Sequence, residues 1–264
     1  MRRHDFPGAW HHVMNRGARR EPVFHQASDG QRFLDLVAEW SERRSVEIHA
    51  YCLMPNHFHL LVRSLDADLG RFLQQVGSAY TRDVNRRLGH DGAIFRGRYR
   101  SRPVDSDGYL TTAARYIHRN PLDLRPTVEL DQYRWSSYGA YVGTTPAPPW
   151  LRTDILLASH GNDHAALRDR VEGPAGPIDV DQLERIVATA LDEQHLDVDA
   201  VRLERLMLIA VAAELDPQSA TEVERLLTFP TIGAERAARS RARKRIETDP
   251  ALRRVLTRTL DVAA

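Results

Sequence analysis

The chain has 264 residues, 42% of them hydrophobic, and a formal net charge of +1, so it can fill one large core or two modest ones and names no partner by charge alone. Its single cysteine, Cys52, excludes an internal disulfide and a thiolate zinc cluster and fits a reducing cytosol. The N-terminal stretch lacks the apolar core of a signal peptide, and no apolar run approaches the ~18 residues of a membrane span, so no membrane partner is expected.

The charge is unevenly spread. Residues 1–150 hold 21 arginines against 16 acidic residues, and the remainder holds 16 basic against 20 acidic. Lys244 is the only lysine. Arginine suits bidentate contact with phosphate, but clusters are more telling than totals.

In chain order, Trp10–Met14 reads as a short strand ending at the Asn15-Arg16-Gly17 turn. Ser28 or Asp29 can cap a helix whose apolar stripe is Phe33, Leu36, Val37 and Trp40. Residues 46–63 hold two apolar runs that meet at Pro55-Asn56, which predicts a tight hairpin. The alternation of a strand puts His57 and His59 on one face and Phe58, Leu60 and Val62 on the other. Two imidazoles side by side are half of a metal site, or a satisfied pair.

A second helix is predicted over Leu69–Leu88, closed by Gly89, with Phe72, Leu73, Val76, Tyr80, Val84 and Leu88 inward and Arg82 and Arg86 outward. Residues 95–104 read as a strand that aligns Arg96, Arg98, Arg100 and Arg102 on one face. Such a row is either a solvated face or a contact for a phosphate backbone. Asp105 or Ser106 then caps a helix that runs to about Arg119, stopped by Pro121. Tyr116 and Asn120, four apart, share one side of it. Tyr116 is read either as a packing residue or as a nucleophile, and Asn120 offers a side-chain carbonyl to a cation. With His57 and His59 it would hold Mg²⁺ or Mn²⁺ and leave room for phosphate oxygens. Gly173–Pro177 reads as a linker, and residues 179–264 as helical, with a basic stretch from Arg236 to Arg258.

Tyr51–Val62, Phe95–Arg102, Tyr116–Pro121 and Trp135–Tyr138 together resemble the single-tyrosine HUH transposases, in particular the REP-associated tyrosine transposases. The resemblance covers roughly residues 5–142. It implies an α+β fold of ferredoxin-like or RNA-recognition type, an antiparallel sheet with packed helices, which the helical pattern of 179–264 would follow with an all-α C-terminal domain. It implies divalent-metal-dependent cleavage of single-stranded DNA beside a hairpin, a covalent 5′-phosphotyrosine at Tyr116, and strand transfer. His57, His59 and Asn120 fall at the metal-ligand positions, and the arginines become DNA contacts. Leu122–Arg125 departs from the small, Gly-containing turn usual in the family. The C-terminal part resembles more weakly the helix-turn-helix domain of the bacterial replication initiator, with Arg205–Ala213, Ala220–Leu227 and the helix from Arg236 in order; Pro230–Arg236 lacks the polar base-reading run of that domain.

The expected organisation is a transposase domain at 1–145, a linker with a short helix at 146–178 and a helical domain at 179–264. A nucleoid-associated enzyme, alone or as a homodimer, is the primary expectation. The alternatives are a protein that binds hairpin DNA or RNA without cutting it, and a two-histidine phosphoesterase acting on small nucleotides, which leaves the arginine row unexplained.

Overall fold

A computed structural model describes residues 5–125, 127–173, 187–189 and 232–263. Contacts divide the chain into two compact units, Met1–Glu172 and Gly173–Ala264, with the division at the start of the Gly/Pro-rich stretch.

The first unit opens with β1 (Ala9–Arg16), α1 (Ala27–Arg43), β2 (Val46–Met54), β3 (His57–Ser64), α2 (Leu69–Leu88) and β4 (Arg100–Val104). The strands form one sheet in the order β2-β3-β1-β4, with every neighbouring pair antiparallel. A β-α-β-β-α-β chain in that order is the ferredoxin-like arrangement. Then come α3 (Asp107–Arg119), α4 (Tyr138–Tyr141), α5 (Asp154–Ala158) and α6 (His164–Glu172).

Both faces of the sheet are covered, so both alternations of each strand are buried. One face carries Val13, Leu53, Phe58, Leu60 and Val62 against Phe33, Val37, Phe72, Val76 and Tyr80 of α1 and α2. The other carries Ala50, Cys52, Met54 and Leu61 against Tyr109, Ala113 and Ile117 of α3. Leu156, Leu167 and Val171 belong to this second core, so residues through 172 pack onto the first unit instead of serving as a connector. The free edge of β2 is closed by Trp135–Ser137, where Leu53 N–H donates to Trp135 O and Ser137 N–H to Tyr51 O at 2.8 and 3.0 Å. Covering an edge in this way removes a template for unwanted pairing.

Two local expectations change. Helix α1 starts at Ala27 with Gln26 as its cap, and Asp29 acts from the third position, accepting from the backbone N–H of His25 and Gln26. The run 95–104 is a strand only from Arg100. Gly97 and its neighbours form an exposed loop after an isolated bridge between Gly17 and Phe95, and Phe95 and Tyr99 pack into the α1/α2 core. By contrast, α2 spans Leu69–Leu88, and Gly89 closes it at φ +66°, a conformation that favours glycine.

In the second unit, α7 (Ile232–Thr248) and α8 (Pro250–Ala263) pack together through Ala242, Ile246, Leu252 and Val255, with Arg241, Lys244, Arg245, Arg253 and Arg254 exposed. The other two segments expected for a helix-turn-helix, 205–213 and 220–227, lie outside the described residues. Among those described, no helix is long and apolar enough to cross a membrane.

Asp29 joins α1 to α2 as well as capping it, because Arg87 Nη2 reaches both its oxygens at 2.7 and 2.8 Å. Asp29→Ala is expected to lower stability by about 2–3 kcal/mol, since it strips a cap and leaves the Arg87 charge half-buried; chemical denaturation checks this. A second expectation concerns His49, which sits in the β-bulge of β2, fully buried against Trp10. Burial outweighs the opposing charge of Asp154 and the backbone contact with Arg152, and lowers the imidazole to about 4 from 6.5. The fold therefore favours neutral His49, and stability is full above pH 6.5 and declines as the pH falls toward 4. At pH 5 the loss from this group is about 2 kcal/mol, and His49→Gln should flatten the profile measured by denaturation at pH 7 and 5.

Candidate functional site

Strand β3 is the middle of the site. His57 and His59 project to the α3 side of the sheet, with ring centroids 5.1 Å apart, and Phe58 projects to the other core. The Pro55-Asn56 turn that starts β3 is itself held, because Val23 and Phe24 N–H donate to Pro55 O and Gly17 N–H to Asn56 O.

Helix α3 lies over this face. Ser106 caps it, accepting from Tyr109 N–H at 3.2 Å. Its last turns are buried on all sides: one side meets the sheet, and Arg115 and Arg119 donate to the carbonyls of Arg170 and Val171 at the end of α6. That layer fixes which residues of α3 face the histidines. Tyr116 does, with its ring 5.8 Å from that of His59. His118 points away, to Tyr138, Tyr141 and the Ser137 hydroxyl, and burial lowers it to about 3, so it is neutral.

Asn120 closes α3. Its Nδ2 donates to the carbonyls of Tyr116 and Ile117 at 2.9 and 3.4 Å, which fixes the amide. Its Oδ1 is then buried with no hydrogen-bond partner. A buried acceptor left unsatisfied costs about 1–3 kcal/mol, and each case calls for an explanation such as an absent ion. Two imidazole nitrogens and one amide oxygen, if brought together, would suit Mn²⁺ well and Mg²⁺ acceptably. Among the described residues, no group of three His, Cys, Asp or Glu side chains is placed to hold a metal, so this set depends on the amide.

The arginines divide. Arg100 and Arg102 pair with Met14 and His12 across β1/β4 and so share the face of the histidines. Arg96 and Arg98 lie in the exposed loop before β4, outside any row. Arg82 and Arg86 are exposed on α2, which packs on the opposite face of the sheet. Arg82 and Arg98 meet at a groove of about 1320 Å³ that also takes in Asn15, Gln74, Ser78 and Tyr99.

One residue of the site escaped the sequence reading. His12 of β1 places its Nε2 2.9 Å from His59 Nδ1 and its ring 5.6 Å from that of Tyr116. Alternation along Trp10–Met14 puts His12 on a face, but only the β1/β3 register brings it beside His59.

A four-stranded antiparallel sheet with this polar cluster under a covering helix thus lies at the centre of the first unit. The family model described as IS200-like transposase matches residues 6–120 of this chain. Among solved structures, one described as a REP-associated tyrosine transposase bound to a REP hairpin is similar at 18% identity and a TM-score of 0.47, over 59% of this chain and 92% of that one. No curated protein sequence matches significantly.

Ser137 ties the site layer together. Its hydroxyl accepts from Tyr51 N–H at 2.9 Å and lies 3.0 Å from His118 Nε2. Ser137→Ala is expected to cost about 1–3 kcal/mol, because it leaves a buried N–H on β2 unpaired; thermal denaturation checks this.

Proposed function

We propose that this protein is a transposase that cleaves single-stranded DNA beside a hairpin, of the REP-like kind, and transfers the strand through a covalent bond to Tyr116. The observation that carries the reading is the placing of Tyr116 over His59, with the unsatisfied Asn120 oxygen one helical turn further on. His57, His59 and Asn120 would hold Mg²⁺ or Mn²⁺. When bound, such a cation polarises a phosphate oxygen and stabilises the departing 3′ oxygen.

The chain's own groups do the rest. Tyr116 Oη attacks the scissile phosphorus, the bond to the 3′ oxygen breaks, and the phenolic proton is finally carried by the 3′ hydroxyl. The 5′ phosphate stays on the tyrosine. Strand transfer is the same exchange run backwards with another 3′ hydroxyl. Arg100 and Arg102, on the histidine face, and Arg82, Arg86, Arg96 and Arg98, around the groove and loop, would contact the DNA backbone. The basic α7/α8 surface would add a second contact.

Tyr116 is only 2% exposed, so its oxygen must become accessible before a phosphodiester can reach it. The same burial favours a second reading, a protein of transposase descent that binds hairpin DNA or RNA without cutting it.

The test is a cleavage assay on labelled single-stranded hairpin DNA with Mn²⁺ or Mg²⁺, resolved on a denaturing protein gel. A DNA-shifted band is expected for the unmodified protein and absent from Tyr116→Phe, with His57→Ala reduced at least 100-fold. An adduct that persists in Tyr116→Phe would refute the tyrosine assignment. Tight, salt-sensitive binding with no adduct would establish the second reading.

A further inference from the structure

A histidine binds a metal through one ring nitrogen, and the group held by its other nitrogen decides which one is offered. Both histidines of the candidate site have Nδ1 engaged by a side chain that is not a carboxylate. His57 Nδ1 lies 2.8 Å from Asn56 Oδ1, and His59 Nδ1 lies 2.9 Å from His12 Nε2.

The Asn56 contact has only one consistent direction. Asn56 Nδ2 donates to Arg20 O at 3.1 Å, which sets the amide so that the atom facing His57 is the carbonyl oxygen. An amide oxygen only accepts, so His57 Nδ1 carries the hydrogen. Its Nε2 therefore has the lone pair. The His12 contact is symmetric on geometry alone, since either ring can donate. If His59 donates, its Nε2 has the lone pair, as in His57, and His12 carries its own hydrogen on Nδ1. If His12 donates, His59 Nε2 is protonated and unable to bind a cation.

We infer that His12 and Asn56 are positioning residues that hold His59 and His57 as Nδ1–H tautomers, so that both offer Nε2 to a divalent cation. The inference rests on the reading of His57 and His59 as ligands and adds the residues that prepare them. Neither positioning group is a carboxylate, the commoner partner in such pairs. The site is thus preset without adding a negative charge next to a phosphate-binding surface.

The test is Mn²⁺ binding to the full-length protein, without DNA, followed by calorimetry. His57→Ala serves as the control for the site itself. His12→Leu and Asn56→Leu are expected to bind 10- to 100-fold more weakly than the unmodified protein. His12→Gln and Asn56→Asp, which restore an acceptor oxygen, are expected to recover most of the loss. Leucine variants that bind Mn²⁺ normally while His57→Ala does not would overturn the positioning roles and leave the metal site standing. Leucine and acceptor variants equally weak would overturn them too, by showing that shape and not the hydrogen bond matters. Unchanged binding in His57→Ala would overturn the metal site and with it this inference. Nitrogen NMR of the unmodified, metal-free protein decides independently of whether any variant folds. Pyrrole-type Nδ1 and pyridine-type Nε2 signals for both His57 and His59 support the assignment, and the reverse for either ring refutes it for that ring.

Discussion

Everything in the first unit depends on the register of β3. Its residues serve two cores in alternation, Phe58, Leu60 and Val62 facing α1 and α2, and His57, His59 and Leu61 facing α3. A slip of one residue would drive both imidazoles into the Phe33/Tyr80 cluster and expose Phe58 to the helix that carries Tyr116. Pairing on both sides, with β2 and with β1, makes that slip costly. The turn at Pro55-Asn56 locks it further, because backbone groups of Gly17, Val23 and Phe24 all bond there.

A ferredoxin-like sheet needs helices on one face only, and here the other face is covered as well. The α3 layer buries His12, His57, His59, Tyr116 and Asn120 together. Buried polar groups are costly unless they satisfy one another, so a cluster of this kind in a core is poor value for stability alone. Most of its members are paired: His12 with His59, His57 with Asn56, and the Asn120 amide with the α3 backbone. The Asn120 oxygen is left without a hydrogen bond, and under the proposed function a cation held with His57 and His59 would relieve it.

The parts of this arrangement that were legible in the sequence are those set by local periodicity. The hairpin, the extent of α2 with its Gly89 stop, the Ser106 cap and the shared side of Tyr116 and Asn120 all follow from spacings of two, three or four residues. What was not legible depends on partners distant in the chain. The first turn of α1 is settled by Asp29 acting with Gln26, and that aspartate is drawn in by Arg87, 58 residues away. The run at 95–104 alternates like a strand, yet only its last five residues find a partner in β1, because Phe95 and Tyr99 are claimed by the α1/α2 core. Residues 146–178 read as a linker with a short helix, yet Leu156, Leu167 and Val171 join the core beside α3. His12 needed the β1/β3 register, which no single strand encodes.

The arginine surplus of the first 150 residues also changes meaning once the fold is known. Several of these charges serve internal structure. Arg87 is held by Asp29, Arg32 by Asp83 at 2.7 Å and Arg44 by Asp68 at 3.4 Å, and Arg115 and Arg119 cap carbonyls at the end of α6. Guanidinium groups spent in this way add little to the field that a phosphate backbone meets. Arg82 and Arg98 are exposed at the α2 groove, and Arg100 and Arg102 lie half-buried on the histidine face. A single straight row would grip one strand along its length. A split arrangement suits a nucleic acid that passes around the β4 edge and presents different segments to each side, which is the geometry a folded, hairpin-bearing strand provides more readily than a linear one.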